Sequence, residues 1–302
     1  MLLNSVNTNV AAQVALQSLK FTTTQLQATQ KRISNGYRVA DATDDGSAFA
    51  VAQRVRSDVG ALTTVNAQLG NAKGLVSTTL SALTTISNSL GEAKSLLTQI
   101  GSAYISQDER DQYVASYKTL VARVANTVDG STYNGQTLLG AASGAIAGTS
   151  KSVINNENGA TSTLSAADSS ALANTLATLI GSTFSRTAAG VDTFGTIAAG
   201  ADQSSAAVAL TGTSGATAFV TAQKGVASQL NQAGSDSKFL KATITFNSTK
   251  IDSLNAGLGA LVDADLSKES AQLQALQIRQ QLGTQALSLA NQAPQALLSL
   301  SK

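Results

Sequence analysis

Ala12, Leu19, Leu26 and Ile33 stand seven residues apart. A strict seven-residue apolar repeat keeps one helical face turned toward a partner, the pattern of a coiled-coil seam. Leu16 is expected on the same side, and a helix over 5–33 would be about 45 Å long. The far end of the chain carries a counterpart. Ile278, Leu282, Ala286, Leu289, Ala293, Leu297 and Leu300 advance by threes and fours along one helical face. Leu273, Leu276, Leu287 and Leu298 widen that stripe. A single helix of this kind is unstable alone in water, and the N-terminal seam is its nearest complement. The two chain ends are therefore expected to pair, with everything between them inserted.

Composition suits long seams better than one large core. The 302 residues include no Trp, Cys or His, one Pro and 4% aromatics. Small apolar side chains let backbones approach closely but bury little area each. The net charge of +2, with both signs scattered, gives no basic patch and points away from nucleic acid. No apolar run is long enough to span a membrane. The first residues lack the basic and apolar segments of a cleaved secretory signal, so export would need another route. Without His or Cys there is no Ser-His-Asp triad, no thiol nucleophile and no ordinary zinc site. Phosphate-binding glycine motifs are missing too. No catalytic residue, cofactor or metal is expected.

Three regions separate along the chain. In the first, residues 1–140, Ser34-Asn35-Gly36 breaks the opening helix, and residues 37–46 read as extended or irregular. A helix resumes near Ser47 and continues to about Ile100. Ser106-Gln107-Asp108-Glu109 reads as an N-cap with acids in the first turn, opening a helix that ends near Val128. Asp129-Gly130 and Asn134-Gly135 mark turns, the second suited to a short hairpin. The middle region, 141–216, is rich in Gly, Ser, Thr and Ala, and its only charges are Lys151, Glu157, Asp168, Arg186, Asp192 and Asp202. It reads as a small, weakly cored surface module with two short strands around Asn155–Gly159 and one helix over 166–180. The third region is helical again. One helix spans about 218–258, with weak punctuation at Gly234. Gly257 and Gly259 bracket a break before the final helix.

These residues resemble the bacterial flagellins. The resemblance is carried by Ser5-Val6-Asn7-Thr8-Asn9, by Arg32 to Val39, by Ala42-Thr43-Asp44-Asp45-Gly46 and by Ala48 to Ala52. At the other end it rests on Asp263-Ala264-Asp265, Glu269, Gln277-Ile278, Gln280-Gln281, Ala290 to Gln295 and Leu297 to Leu300. It covers roughly 1–140 and 217–302. Gly46-Ser47-Ala48-Phe49 departs from the family's usual Ala-Ala-Gly-Leu without breaking the pattern.

The resemblance implies a mainly α fold: a long antiparallel, coiled-coil rod formed by both termini, with a small β-containing outer insertion. It implies an inner domain of 1–40 and 258–302, a rod domain of 41–140 and 217–257, and an outward module of 141–216. It further implies an extracellular structural subunit, exported unfolded by the flagellar type III apparatus and polymerised under a cap. Its partners would be copies of itself, an export chaperone, the cap and hook-associated proteins. The hook–filament junction protein shares this plan, and the ending Ala290 to Leu300 favours flagellin over it. A secreted enzyme housed in the middle region is the rival from another class, and the six scattered charges there supply no catalytic cluster.

Several local patterns have sharper readings that the residues do not support. Asp41, Thr43, Asp45 and Gly46 begin like a calcium-binding loop, but the twelfth position is Ala52 where a bidentate Glu is needed. A capped loop entering a helix is expected instead. Asp263, Asp265 and Glu269 could form acid/base carboxylates, but read better as a solvated first turn. Asn247-Ser248-Thr249 fits a glycosylation sequon on a helix, expected to be chance, whereas middle-region hydroxyls are candidates for O-linked sugars. Pro294 either kinks the last helix or marks its fraying. The stretch Leu90 to Leu96 matches the rod helix through which many flagellins are detected by toll-like receptor 5. Leu96 is retained and Glu92 stands where the family's critical Arg would be. The charge reversal implies weak or no activation of that receptor.

Overall fold

The computed structural model describes residues 9–142, 148–211 and 215–300, apart from the side chains of 211–217 and 293–300. In chain order the elements are α1 (Val10–Asn35), α2 (Gly46–Ile100), α3 (Gln107–Gly130), β1 (Lys151–Ile154), β2 (Thr161–Leu164), α4 (Leu172–Thr178), β3 (Phe184–Arg186), β4 (Asp192–Phe194), α5 (Ala201–Thr211), α6 (Gly215–Val262) and α7 (Leu266–Leu300). They form two compact units, Met1–Gly60 with Ile251–Lys302, and Ala61–Lys250. The mainly helical class with antiparallel long helices and small two-stranded sheets is as expected.

In the Ala61–Lys250 unit, α2 carries two interleaved seven-residue rows. Leu62, Leu69, Val76, Leu83, Leu90 and Leu97 form one; Val65, Ala72, Thr79, Ile86, Ala93 and Ile100 form the other, and every member is buried. This is the a/d geometry of a coiled coil sustained over five heptads and more. On α6, Phe219, Val226, Ala233, Leu240 and Asn247 repeat the same period, all buried, and α6 runs antiparallel to α2. α3 completes the layer with Val114, Tyr117, Val121, Val124 and Val128. It opens on the capping box formed by Ser106 and Glu109.

The middle region is better cored than composition suggests. Leu164, Leu172, Leu176, Ile180 and Phe184 join the same hydrophobic cluster as α2 and α3, and the Tyr117 hydroxyl donates to the Leu176 carbonyl at 3.0 Å. The expected helix over 166–180 shortens to α4, because the Ala167 and Ser169 amides donate to the Leu138 and Leu139 carbonyls, each at 2.9 Å. Those amides are engaged in a chain–chain pairing and cannot serve a helix. β1 and β2 pair antiparallel around the Asn155–Gly159 turn, and β3 pairs antiparallel with β4. A two-residue hairpin forms at Asn134-Gly135, both with positive φ (50° and 72°), bringing Tyr133 opposite Gln136. The Tyr133 ring lies where a β-carbon on Gly74 would be, 2.5 Å away, so only glycine fits α2 there.

Arg186 ties this region to α3. Its side chain is 2% exposed. It donates to Asp129 at 2.8 Å, to Asp192 at 2.6 Å and to the Ala122 carbonyl. Pairing with Asp192, then Asp129, raises its already high pKa further. Asn247, in the sequon, is 1% exposed and its amide donates to the Asn155 carbonyl at 3.1 Å. It is engaged inside the fold and offers no glycan acceptor at the surface.

In the Met1–Gly60 with Ile251–Lys302 unit, α1 ends at Gly36, whose left-handed conformation (φ 75°) lets its amide reach the Arg32 carbonyl. The segment after it docks on the α6–α7 connection. Arg38 and Val39 amides donate to the Val262 carbonyl at 2.7 and 3.2 Å, and the Ala264 amide donates to the Gly36 carbonyl at 2.9 Å. Val39, Ala48, Ala52 and Val262 are buried together, with Leu258 and Leu261 against them. That packing carries α6 straight through Gly257 and Gly259, where a break was expected, to Val262.

The Asp41–Asp45 loop gathers protein cations and amides. Lys31 bonds Asp41 at 2.6 Å and Asp44 at 3.2 Å. Asp45 caps α2 through the Ala48 amide at 3.0 Å and the Ser47 amide at 3.1 Å. All three carboxyls are held below the ordinary value, Asp41 chiefly by Lys31, Asp44 by the Ala40 amide and Asp45 by the Ala48 amide.

Arg186→Ala should destabilise the Ala61–Lys250 unit by about 3 kcal/mol, because two carboxylates lose their partner. Urea unfolding followed by tyrosine fluorescence checks this, and a loss under about 1 kcal/mol would show the network to be incidental. The loop carboxyls give a pH prediction. Their folded pKa values are depressed, so their contribution is complete above 3.8 and is lost as pH falls below it. Amide-exchange protection of residues 40–48 should therefore drop between about pH 4 and pH 2, and Lys31→Ala should bring that drop to higher pH.

Candidate assembly surface on the paired chain ends

α1 and α7 pair along a seam of two facing heptad rows. On α1 the inward positions are Ala12, Ala15, Leu19, Thr22, Leu26, Thr29 and Ile33, each buried or half-buried. On α7 they are Glu269, Leu273, Leu276, Gln280, Gly283, Leu287 and Ala290. Both rows step by alternating threes and fours, so each helix keeps one narrow face on the other. Thr22 serves in an apolar row because its hydroxyl bonds the Ser18 carbonyl at 2.9 Å.

Three contacts fix the antiparallel register. At one end Arg32 bonds Glu269 at 3.3 Å. In the middle Leu19 lies over Gly283, where an added β-carbon would meet its Cδ1 at 3.3 Å. At the other end the Asn9 side-chain amide donates to the Ala290 carbonyl at 2.8 Å. Asn9 also caps α1, accepting from the Ala12 amide at 3.0 Å. Glu269 is thus buried at 7%, not solvated as expected, while Asp265 is the first-turn cap, accepting from Ser267 and Lys268 amides at 3.0 and 3.1 Å.

The residues chosen from the C-terminal periodicity lie on the other side of α7. Ile278, Leu282 and Leu289 are 59%, 59% and 70% exposed, and Ala286 is exposed with them. The side chains of Ala293, Leu297 and Leu300 lie outside the described residues. α7 has two apolar faces, and the one whose described positions are all apolar, Ile278, Leu282, Ala286 and Leu289, points away from α1. The inner face reads poorly because it includes Glu269, Gln280 and Gly283. Leu276, offered only as widening the stripe, is one of its buried members at 3%. On α1, Leu26 is buried, Leu19 and Ile33 are half-buried, and Leu16 is 42% exposed, off the seam where it was expected. Val10, Val14 and Phe21 are exposed at 46%, 60% and 62%. The pair therefore presents large apolar side chains from both helices to solvent.

Thr22, Thr29 and Gly283 were not singled out from sequence, and Asn9 was named only within the Ser5–Asn9 motif, without a role. A threonine read as an apolar β-branched residue three positions after Leu19 and after Leu26, completing a three–four repeat, would have found two of them. Glu92 and Leu96 sit in the other unit, on a shallow hollow of about 200 Å³ shared with Ser116, Thr119, Leu120 and Arg123. Glu92 is exposed and ion-paired with Arg123 of α3. Among the described residues, no group of three or more His, Cys, Asp or Glu could hold a metal ion, and no helix is long and apolar enough to cross a membrane.

Comparison with known proteins gives this geometry a family. Residues 6–144 match the bacterial flagellin N-terminal helical region, and residues 217–300 match the bacterial flagellin C-terminal helical region. Flagellin FljK of Caulobacter vibrioides is 32% identical over 300 residues, covering 99% of each chain. Flagellin FljN of the same organism is 33% identical over 302 residues, again covering 99% of each. A flagellin of Brucella melitensis is 32% identical over 300 residues, 98% of each. With both terminal regions matched in order and relatives aligned end to end, the chain belongs to the bacterial flagellin family.

Proposed function

We propose that the chain is a structural subunit of the extracellular flagellar filament, working by self-assembly. The observation that carries this reading is the second apolar face of α7. Contiguous exposed apolar surface on a protein marks a surface waiting for a partner. Burying Ile278, Leu282 and Leu289 would contribute on the order of 1 kcal/mol each. The contribution per subunit is modest, and repetition along a polymer makes it collective. The Flagellin names of the relatives over the whole chain support a filament subunit over a hook–filament junction protein.

In this reading Leu19, Leu26 and Ile33 hold the ends of one subunit together. Leu16, Ile278, Leu282, Ala286, Leu289, Ala293, Leu297 and Leu300 meet neighbouring subunits. Residues 1–40 with 258–302 form the inner layer, 41–140 with 217–257 the rod, and 141–216 the outward module. Export proceeds unfolded through the type III route, with a chaperone, the cap and hook-associated proteins as partners. The α1–α7 seam is lean in large side chains, so the ends of a free subunit are loosely held and order on assembly. At the rod, the Glu92–Arg123 pair puts a carboxylate where a receptor that needs an Arg would look. Activation of toll-like receptor 5 is accordingly weak or absent.

Two measurements test this. Leu282→Asp with Leu289→Asp should cut polymer formed on filament seeds at least tenfold, read by sedimentation and electron microscopy, while the Ala61–Lys250 unit keeps its helical signal. Polymer at the wild-type rate would contradict the assignment of that face. Reporter cells carrying the receptor should respond to purified protein far less than to an agonist flagellin, and Glu92→Arg with Arg123→Ser should raise the response. A full wild-type response would overturn the receptor reading.

A further inference from the structure

Pro294 is the one proline of the chain, and α7 runs through it to Leu300. Proline has no N–H, so it cannot donate to the carbonyl four residues before it. In α7 that carbonyl belongs to Ala290, which therefore has no helical donor. It is the carbonyl that receives the Asn9 side-chain amide, at 2.8 Å. The other end of the same side chain accepts from the Ala12 amide at 3.0 Å and caps α1.

We propose that Asn9 and Pro294 form a matched lock: the proline opens one acceptor on α7, and Asn9 closes it while starting α1, so the pair sets the register of the two chain ends. A primary amide suits this place because it offers an acceptor and a donor on separate atoms. Aspartate would cap α1 equally well but has nothing to donate, and serine has a single short hydroxyl. A one-residue slip of α1 along α7 would face Asn9 with a carbonyl already used inside the helix. Only the Ala290 level rewards it. Of the two readings of Pro294, a kink with a role in packing and fraying, the lock develops the first and sets aside the second. Asn9 acts as a positioning residue for assembly, since the outer stripe of α7 keeps its place beside α1 only in this register.

The proposal rests on the filament reading and is tested by a double-mutant cycle on the full chain. Critical concentration for growth on seeds is measured for wild type, Asn9→Asp, Pro294→Ala and the double variant, with Asn9→Ser as an uncharged cap. With Pro294 present, Asn9→Asp and Asn9→Ser should each raise the critical concentration about tenfold, the cost of stranding an acceptor. Pro294→Ala alone should change it about twofold or less, because the residue at 294 then serves Ala290 inside the helix. In that background the position-9 variants should cost at most about twofold more. Equal costs in both backgrounds, no cost for Asn9→Asp, or failure of Pro294→Ala chains to polymerise would each overturn the lock. Wild-type chains that do not grow on seeds count against the filament reading alone. The cycle is then read on thermal unfolding of the free chain by circular dichroism, where the same coupling is expected and its loss is equally decisive.

Discussion

A helix apolar on two sides can satisfy only one of them inside a single short pair. α7 gives α1 the side on which Glu269, Gln280 and Gly283 interrupt the leucines. It leaves Ile278, Leu282 and Leu289 in water. The order of these choices follows from packing. A narrow inner face lets the helices approach closely at Gly283 under Leu19, whereas a wide leucine face would hold them apart. The other side, with Ile278, Leu282 and Leu289, is left exposed, the surface that a neighbouring subunit would cover in the proposed filament.

The Ala61–Lys250 unit solves the opposite problem, closing its own seams. The twelve heptad positions of α2 are all buried, and α3, α6 and the 141–216 region supply the facing side chains. Arg186, deep inside this unit, is paired with Asp129 and Asp192. Polar heptad residues are engaged too, as Asn247 is with Asn155.

Periodicity in the sequence found the right helices and the wrong side of one of them. The spacing of Ile278, Leu282 and Leu289 is as regular as that of Leu276 and Leu287, and composition ranks it higher. Burial, however, was decided by which row lets α1 approach, and a glycine and a glutamine do that without looking apolar. The helix from Ser47 to Ile100 was legible, but its two period-seven rows, beginning at Leu62 and Val65, were not singled out. The short α4 was not, because two amides of the expected longer helix are drawn off by the Leu138 and Leu139 carbonyls. Arg186 was visible as one of six charges in the middle region, yet nothing local tied it to Asp129, 57 positions away. The continuity of α6 through Gly257 and Gly259 likewise depends on the cluster of Val39, Ala48, Ala52 and Val262, residues distant in sequence.

Because the chain has no cysteine, coverage of the outer face of α7 can be measured with single thiols. Leu282→Cys places a lone thiol on the outer face of α7 and Leu276→Cys places one on the inner face. Labelling with a maleimide is followed first on free subunits and then on filaments. The thiol at 282 should react readily in the free subunit and at least tenfold more slowly in the filament. A thiol at 282 that reacts equally fast in both states would contradict it, because the exposed stripe would then not be what assembly covers.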